Sequence, residues 1–342
     1  FGASKFCGAE PLMEVPSRNR RFLTFPIETF IHNPAYAFEP IDAEKTFKQL
    51  TRVANARTTE GKTFREFAMA HLGAEDYRRF VQSTGYSDFE KEDAMSTLKL
   101  YGMDDNFCCQ DAKLFRVPWK QLAERIVEKD RIDVRLDCEA VSITQQNDGT
   151  ILVKTRRGPT YVCSRVIVAT TISVLRKLFP HNPVYKHIQS QPFIRVYGKF
   201  SADTKHIMAA YVKKYTVVNT VLQKIIPMDV AKGVYMIAYS DNKSAVVLDK
   251  INSKDTFCRL LEKSLGIPGE SLCLIDMKKC YWHEGTHYVK PLRNLEERIR
   301  LIEEAQHPPD LDNVYVVGES VCNDQGWVEG ALKSVKNIYS EL

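Results

Sequence analysis

"NVYVVGESVCNDQGWVEGALKSVKNI", residues 313–338, is the stretch on which the reading of this chain turns. Val314 to Val317 form a short unbroken apolar run, the pattern of a strand covered on both faces. Gly318 closes that run, a polar loop follows, and the apolar spacing from Trp327 or Val328 predicts a helix to the end of the chain. A buried strand that passes through glycine into a helix N-terminus is a ready seat for negative charge. Small residues leave N–H groups approachable there, and the helix dipole adds positive potential.

Upstream, "TYVCSRVIVAT" (160–170) has the same apolar character, and its "SRVIVAT" half is expected to be buried on both faces of a parallel sheet. "IDVRL" (132–136), "AVSITQ" (140–145) and "ILVKTRR" (151–157) read as strands, with "NDG" (147–149) as a hairpin turn. "VPWKQLAERIVEK" (117–129) is an amphipathic helix with Pro118 in its first turn. Residues 41–100 read as mostly helical, and "KTFREFAMAHLG" is expected to end on Gly73 as a C-cap. "FIRVYGKF" (193–200), "GVYMIAYS" (233–240) and "SAVVLDK" (244–250) look strand-like, and "SLCLIDMKKCYW" (271–282) is extended. "SKDTFCRLLEKSLG" (253–266) and "NLEERIRLIEEAQ" (294–306) are helices. Strands and helices alternate without a clean boundary, as in domains assembled from several chain segments.

Composition narrows the function classes. Of 342 residues, 44% are hydrophobic and 27% charged, ordinary for a globular protein, and the net charge of +5 is small for that length. No basic run interleaves with aromatics, so no nucleic-acid partner is expected. No segment approaches 18 consecutive apolar residues, so no membrane span is expected. The nine cysteines contain no C-x-x-C pair, which removes cysteine zinc sites and points to reduced thiols in a soluble, intracellular protein. The opening "FGASKF" has no initiating Met and reads as the middle of a structured element, so a preceding segment is expected. Nothing in the sequence sets the oligomeric state.

"YWHEGTHYVKP" (281–291) carries His283, Glu284 and His287 as H-E-x-x-H, which on a helix would place two imidazoles on one face for zinc, with Glu284 as general base. Glu303 or Glu304 is available as a third ligand. Against helix stand Gly285, which costs about 1 kcal/mol relative to Ala, the β-favouring residues around it, and Pro291, which biases Lys290 away from helix. The two readings are a zinc peptidase site and a strand end with a loop.

Taken in order, "GASKF" (2–6), "WKQLAERI…IDVRLDCEAVSI", "VIVATTISVLRKLFP", "YWHEGTHYV" and "VVGES…GWVEGA" resemble the segments of the flavin-containing amine oxidase family, which includes monoamine and polyamine oxidases and is related to protoporphyrinogen oxidase. The resemblance covers nearly the whole chain. It implies an α/β protein in which a Rossmann-like, FAD-binding dinucleotide domain is interleaved with an α+β substrate domain built on a mixed sheet. The FAD domain would comprise residues 1–10, 117–183 and 308–342, and the substrate domain residues 11–116 and 184–307. It places Gly2, Ala3, Ser4, Val141, Ala169, Trp282, Gly318, Glu319, Trp327 and Val328 on the cofactor, with Glu319 on its sugar chain. Tyr288 and Trp327 would form an aromatic pair before the flavin, and Arg195 stands where the family often has a lysine, with Lys199 in a poorer register. On this reading the histidine spacing is incidental.

The implied reaction is hydride transfer from a carbon beside nitrogen to flavin N5, with O2 as oxidant and a small amine as substrate. The chain departs from the family in three places. No G-x-G occurs in it, Arg195 replaces the lysine, and Val117-Pro118 replace paired glycines. Cys322 does not align with the family's covalent attachment site. Two other outcomes stay open beside the zinc peptidase: an oxidase of a non-amine such as a porphyrinogen, and a catalytically degenerate protein that keeps the fold.

Overall fold

The computed structural model describes residues 10–14, 29–30, 39–103, 113–116, 118–213, 215–309 and 311–341; Gly2, Ala3, Ser4 and Val117 lie outside them. The chain divides into two compact units, Phe1–Phe25 with Asp104–Arg165, and Pro26–Met103 with Val166–Leu342.

In the first unit, β1 (Glu10–Glu14) pairs antiparallel with β3 (Lys113–Arg116). Helix α3 (Trp119–Lys129) follows Pro118, whose missing N–H costs nothing at a helix start. β4 (Ala140–Gln145), β5 (Ile151–Thr155) and β6 (Thr160–Cys163) form an antiparallel meander. Its first turn is the expected one: Gly149 takes φ 86° and its N–H donates to the Gln146 carbonyl. "IDVRL" is not a strand. Arg131 (φ 51°) and Asp137 (φ 58°) turn the backbone at both ends, and no ladder forms between them, so Val134 and Leu136 are exposed.

The second unit is built on a six-stranded mixed sheet in the order β12-β8-β11-β10-β9-β2. These strands are β2 (Thr29–Phe30), β8 (Ile188–Phe200), β9 (Thr216–Val217), β10 (Lys224–Asp229), β11 (Val234–Asp241) and β12 (Leu274–Val289). All pairs are antiparallel except β2 with β9. One face packs Ile194, Val196, Ile237 and Leu274 against Leu248 of α5 (Asn242–Asp249) and Phe257 and Leu261 of α6 (Lys254–Leu265). "SAVVLDK" is therefore helix rather than strand. Asn242 at φ 47° ends β11, and burial of Ala245 and Leu248 with exposure of Val246 and Val247 is a helical period.

A second core joins Phe47 and Leu50 of α1 (Ala43–Val53) to Phe64, Phe67 and Phe80 of α2 (Phe64–Thr84) and to Phe89. Thr63 and Glu66 close the start of α2 as a reciprocal capping box. Gly73 does not end that helix. It kinks it (φ 78°, ψ 164°), and the buried face resumes through Tyr77 and Phe80 to a left-handed C-cap at Gly85.

β7 (Val166–Ala169) and β13 (Val314–Val317) pair in parallel. β13 is buried along its length, as its sequence predicts. β7 is not, since Ile167 is 49% exposed and its neighbouring side chains alternate. Helix α4 (Ile172–Leu178) follows β7, α7 (Leu295–Gln306) precedes β13, and α8 (Val328–Ile338) packs Ile338 on Tyr315 and Val317. Among the described residues no helix is long and apolar enough to cross a membrane.

Candidate functional site

The H-E-x-x-H residues lie on β12, in extended backbone. Between Trp282, opposite Phe193, and Thr286, opposite Gln191, β12 advances four residues while β8 advances two, so the ladder bulges there. Gly285 sits inside that bulge. A Cβ on it would come 2.7 Å from Cβ of Phe193, so the close crossing of the two strands requires glycine.

His287 is buried at 6% exposure. Its Nε2 accepts the Ile172 N–H at 3.2 Å, so the ring proton sits on Nδ1 and is donated to Oε2 of Glu319 at 2.5 Å. Glu284 accepts from the N–H and Oγ of Ser173 and from Oγ of Ser190. Burial pushes its carboxyl up, but the hydrogen bonds from Ser173, Thr171 and Ser190 win and hold it below the ordinary carboxylate range. Thus Glu284 and His287 both serve N–H groups at the start of α4, and His283 is exposed and apart from them. No ring nitrogen of His287 is left for a metal, and among the described residues no three His, Cys, Asp or Glu side chains gather as a metal site. The zinc peptidase reading is overturned on that geometry. The view of His287 as incidental is corrected with it.

Glu319 ties β12 to the helix that the opening stretch predicts. Its Oε1 accepts the His287 N–H at 2.9 Å and the Gly326 N–H at 2.6 Å, while Oε2 takes the imidazole proton. Both oxygens of the residue that the resemblance assigns to the cofactor's sugar chain are thus engaged by protein donors. Trp327 is the N-cap of α8 and offers no side-chain cap, so the first-turn N–H groups lack that acceptor, and Trp327 and Val328 are 40% and 58% exposed. Gly318 (φ 121°) and Gly326 (φ 86°) face open space where any Cβ would stand. Gly330 does the opposite: a Cβ there would come 2.5 Å from Sγ of Cys322 and overlap the Asp324 carbonyl, so glycine lets the helix press on the loop. Burial pushes the Cys322 thiol up to about 12, and it donates to the Glu319 carbonyl.

A second group lies on one face of the six-stranded sheet. Cross-strand neighbours Arg195 of β8 and Tyr239 of β11 place the guanidinium 4.7 Å from the Tyr239 ring centroid, and 6.0 Å from that of Trp282 on β12. Phe193 packs 5.9 Å from Tyr239. Beside them Lys224 is fully buried, its Nζ 3.1 Å from the Tyr86 ring centroid and 4.2 Å from that of Tyr239, with no hydrogen-bond acceptor. Burial drives the Lys224 ammonium down, against the pull of Asp241 and Asp88, and drives the Asp88 carboxyl up. Asp241 is held by the N–H and Oγ of Ser87 and by Gln223.

Of the residues picked from sequence, the structure joins Glu319 to the residue before Trp327, and Trp282 to Arg195. It buries Tyr288 at 9% exposure, where its phenol feels the charge of Glu92. Ala169 ends β7 and is exposed; Val141 lies 39% exposed in the first unit. Tyr239, Tyr86 and Lys224 were not picked, and His287 was weighed only as a zinc ligand. The alternation in "YMIAYS" marks which side Tyr239 faces, but nothing local marks the others.

A profile of the flavin-containing amine oxidoreductases matches residues 10–202, more than half of the sequence. The chain belongs to that family, and the cofactor of the family is FAD. A putrescine oxidase solved with putrescine shares its fold at a TM-score of 0.71 and 12% identity, over 99% of this chain and 84% of that one. A double mutant of putrescine oxidase, made to redesign cofactor binding, aligns over the same shares at 0.69 and 12%. At that identity the likeness establishes the fold alone. No curated protein matches the sequence.

The residues present fit the flavin end of FAD. The α8 N-terminus lacks a side-chain cap, and Gly318 and Gly326 beside it have open space where a Cβ would stand. A glycine-rich seat of the G-x-G-x-x-G type for the pyrophosphate is not found in the sequence.

Proposed function

We propose that the protein is an FAD-dependent oxidase of a small amine, with its reacting centre between the α8 N-terminus and the wall formed by Trp282, Arg195 and Tyr239. The observation that carries this reading is the Glu319 clasp. One carboxylate fixes the backbone of β12 at His287 and the backbone before Trp327 at Gly326. Bound there, FAD would supply hydride acceptance from the carbon beside the amine nitrogen, with O2 as final oxidant, giving H2O2 and an imine for water to hydrolyse.

The chain's own residues supply position and electrostatics. First-turn N–H groups at Val328 and Glu329, with the helix dipole, would stabilise negative charge on a flavin held there. Trp327 and Trp282, both partly exposed, would wall the substrate space and exclude water. Tyr288 lies buried on β12 next to His287 of the clasp. Residues 1–10, 117–183 and 308–342 would bind the cofactor and the intervening segments the substrate. A flavin spectrum of the purified full-length protein, with FAD released by acid, tests the reading, and peroxide release on an amine tests turnover. Arg195 in the family's lysine position favours one other reading, a member that keeps the fold without turnover, and a flavin-free protein would support it.

A further inference from the structure

We propose that the substrate carries a carboxylate as well as its amine, and that Arg195 receives it, so that the oxidised compound is an amino acid rather than a diamine. This rests on the amine-oxidase reading above. Arg195 is half-buried on β8, and its hydrogen-bonding neighbours are phenols, Tyr239 at 3.4 Å and Tyr197. Among the described residues no Asp or Glu stands within ion-pair distance of it. A guanidinium does not deprotonate. Withdrawn from water without an anion, it keeps an unanswered charge that a carboxylate can meet with two parallel N–H···O bonds.

Two other buried cations of the same unit, Lys224 and Arg298, also make no ion pair at contact distance among the described residues, but each lies in the field of a carboxylate. Lys224 is attracted by Asp241 and Asp88. Arg298 is balanced by Glu92 and donates to Asn323 and Gln325. Arg195 shares the Tyr239 ring with Lys224 but is met by phenols alone, and the indole of Trp282 beside it is 45% exposed. Tyr239 and Trp282 lie against the guanidinium, which holds the fork in a fixed orientation. The arrangement also disfavours a diamine. A second ammonium would approach Arg195, and the nearby carboxylates that could receive it, Asp241 and Asp88, already attend the chain's own Lys224.

The test uses the flavin-loaded full-length protein with two probes of matched size, butyrate and butylamine. Melting temperature and the absorption of the bound flavin are followed as each is titrated. Butyrate is expected to raise the melting temperature and perturb the flavin band saturably. Arg195→Gln should weaken that response about tenfold or more, and Arg195→Lys, which keeps charge but not the fork, should recover part of it. In turnover, amino acids should be oxidised in preference to putrescine, with the Arg195→Gln effect falling mainly on KM.

Putrescine oxidised in preference to amino acids, or a butyrate response unchanged in both variants, would overturn the proposal. If butyrate binds through Arg195 but no amine or amino acid is oxidised, the anion site stands and the oxidase reading fails. A variant that unfolds is recognised by its melt without ligand, and Arg195→Lys then carries the comparison.

Discussion

Replacing His287 by alanine should destabilise the protein strongly, although the residue lies outside the cofactor contacts that family resemblance assigns. The imidazole donates to a carboxylate in a buried setting, an interaction worth about 1.5–3 kcal/mol. It also accepts the N–H of Ile172, which is fully buried, and an orphaned buried donor costs about 1–3 kcal/mol more. Together these give about 2.5–6 kcal/mol. At about 2–4 °C per kcal/mol for a unit of this size, the melting temperature should fall by about 5–24 °C. The assay is thermal unfolding by circular dichroism, with His283→Ala as control: that exposed histidine should change the melt by no more than about 1–2 °C. In the double variant with Glu319→Ala the losses should be less than additive, because the pair shares one hydrogen bond. If His287→Ala melts with the wild type, or the two histidine variants lose stability equally, the clasp is not what holds β12 to α4 and α8.

Trp327→Ala should cut peroxide release while leaving the melt nearly unchanged, because the indole is 40% exposed and its loss loosens positioning rather than the core; equal turnover of variant and wild type would remove Trp327 from the site. Gly330→Ala should cost about 1–3 kcal/mol by urea unfolding, since its Cβ has no room between Cys322 and the Asp324 carbonyl; a neutral outcome would mean that the loop yields freely. Burial raises the Glu92 carboxyl to about 7, above its ordinary value, so its contribution to stability is complete below pH about 4.5 and is lost as the pH rises through 7. Glu92→Gln, neutral throughout, should therefore melt above wild type at pH 8 and lose that advantage by pH 5; parallel pH profiles would contradict the assignment.

What the sequence settled by itself is local and ordered. The apolar run 314–317, the glycine after it and the helix from Val328 follow from spacing and propensity over a few residues, and they stand in the structure as read. Gly285 and Pro291 ruled the H-E-x-x-H stretch out of a helix for the same reason. Short apolar runs misled where periodicity was ambiguous. "SAVVLDK" became helix because α5 covers the sheet, and "IDVRL" stayed unpaired because no strand among the described residues meets it. Gly73 ended no helix because the buried face of α2 continued beyond it.

Tertiary structure alone decided the uses of the polar residues. His287 finds its partners 115 and 32 positions away, Glu284 finds Ser173 111 positions away, and Asp241 finds Ser87 across 154. A buried donor or acceptor must be satisfied by whatever group the packing brings to it, and that group is fixed by the crossing of strands and helix ends rather than by spacing along the chain. The same holds for Arg195. The sequence marked its position on β8, but it took the neighbouring strands to surround it with Tyr239 and Trp282 and to leave its charge without a carboxylate among the described residues.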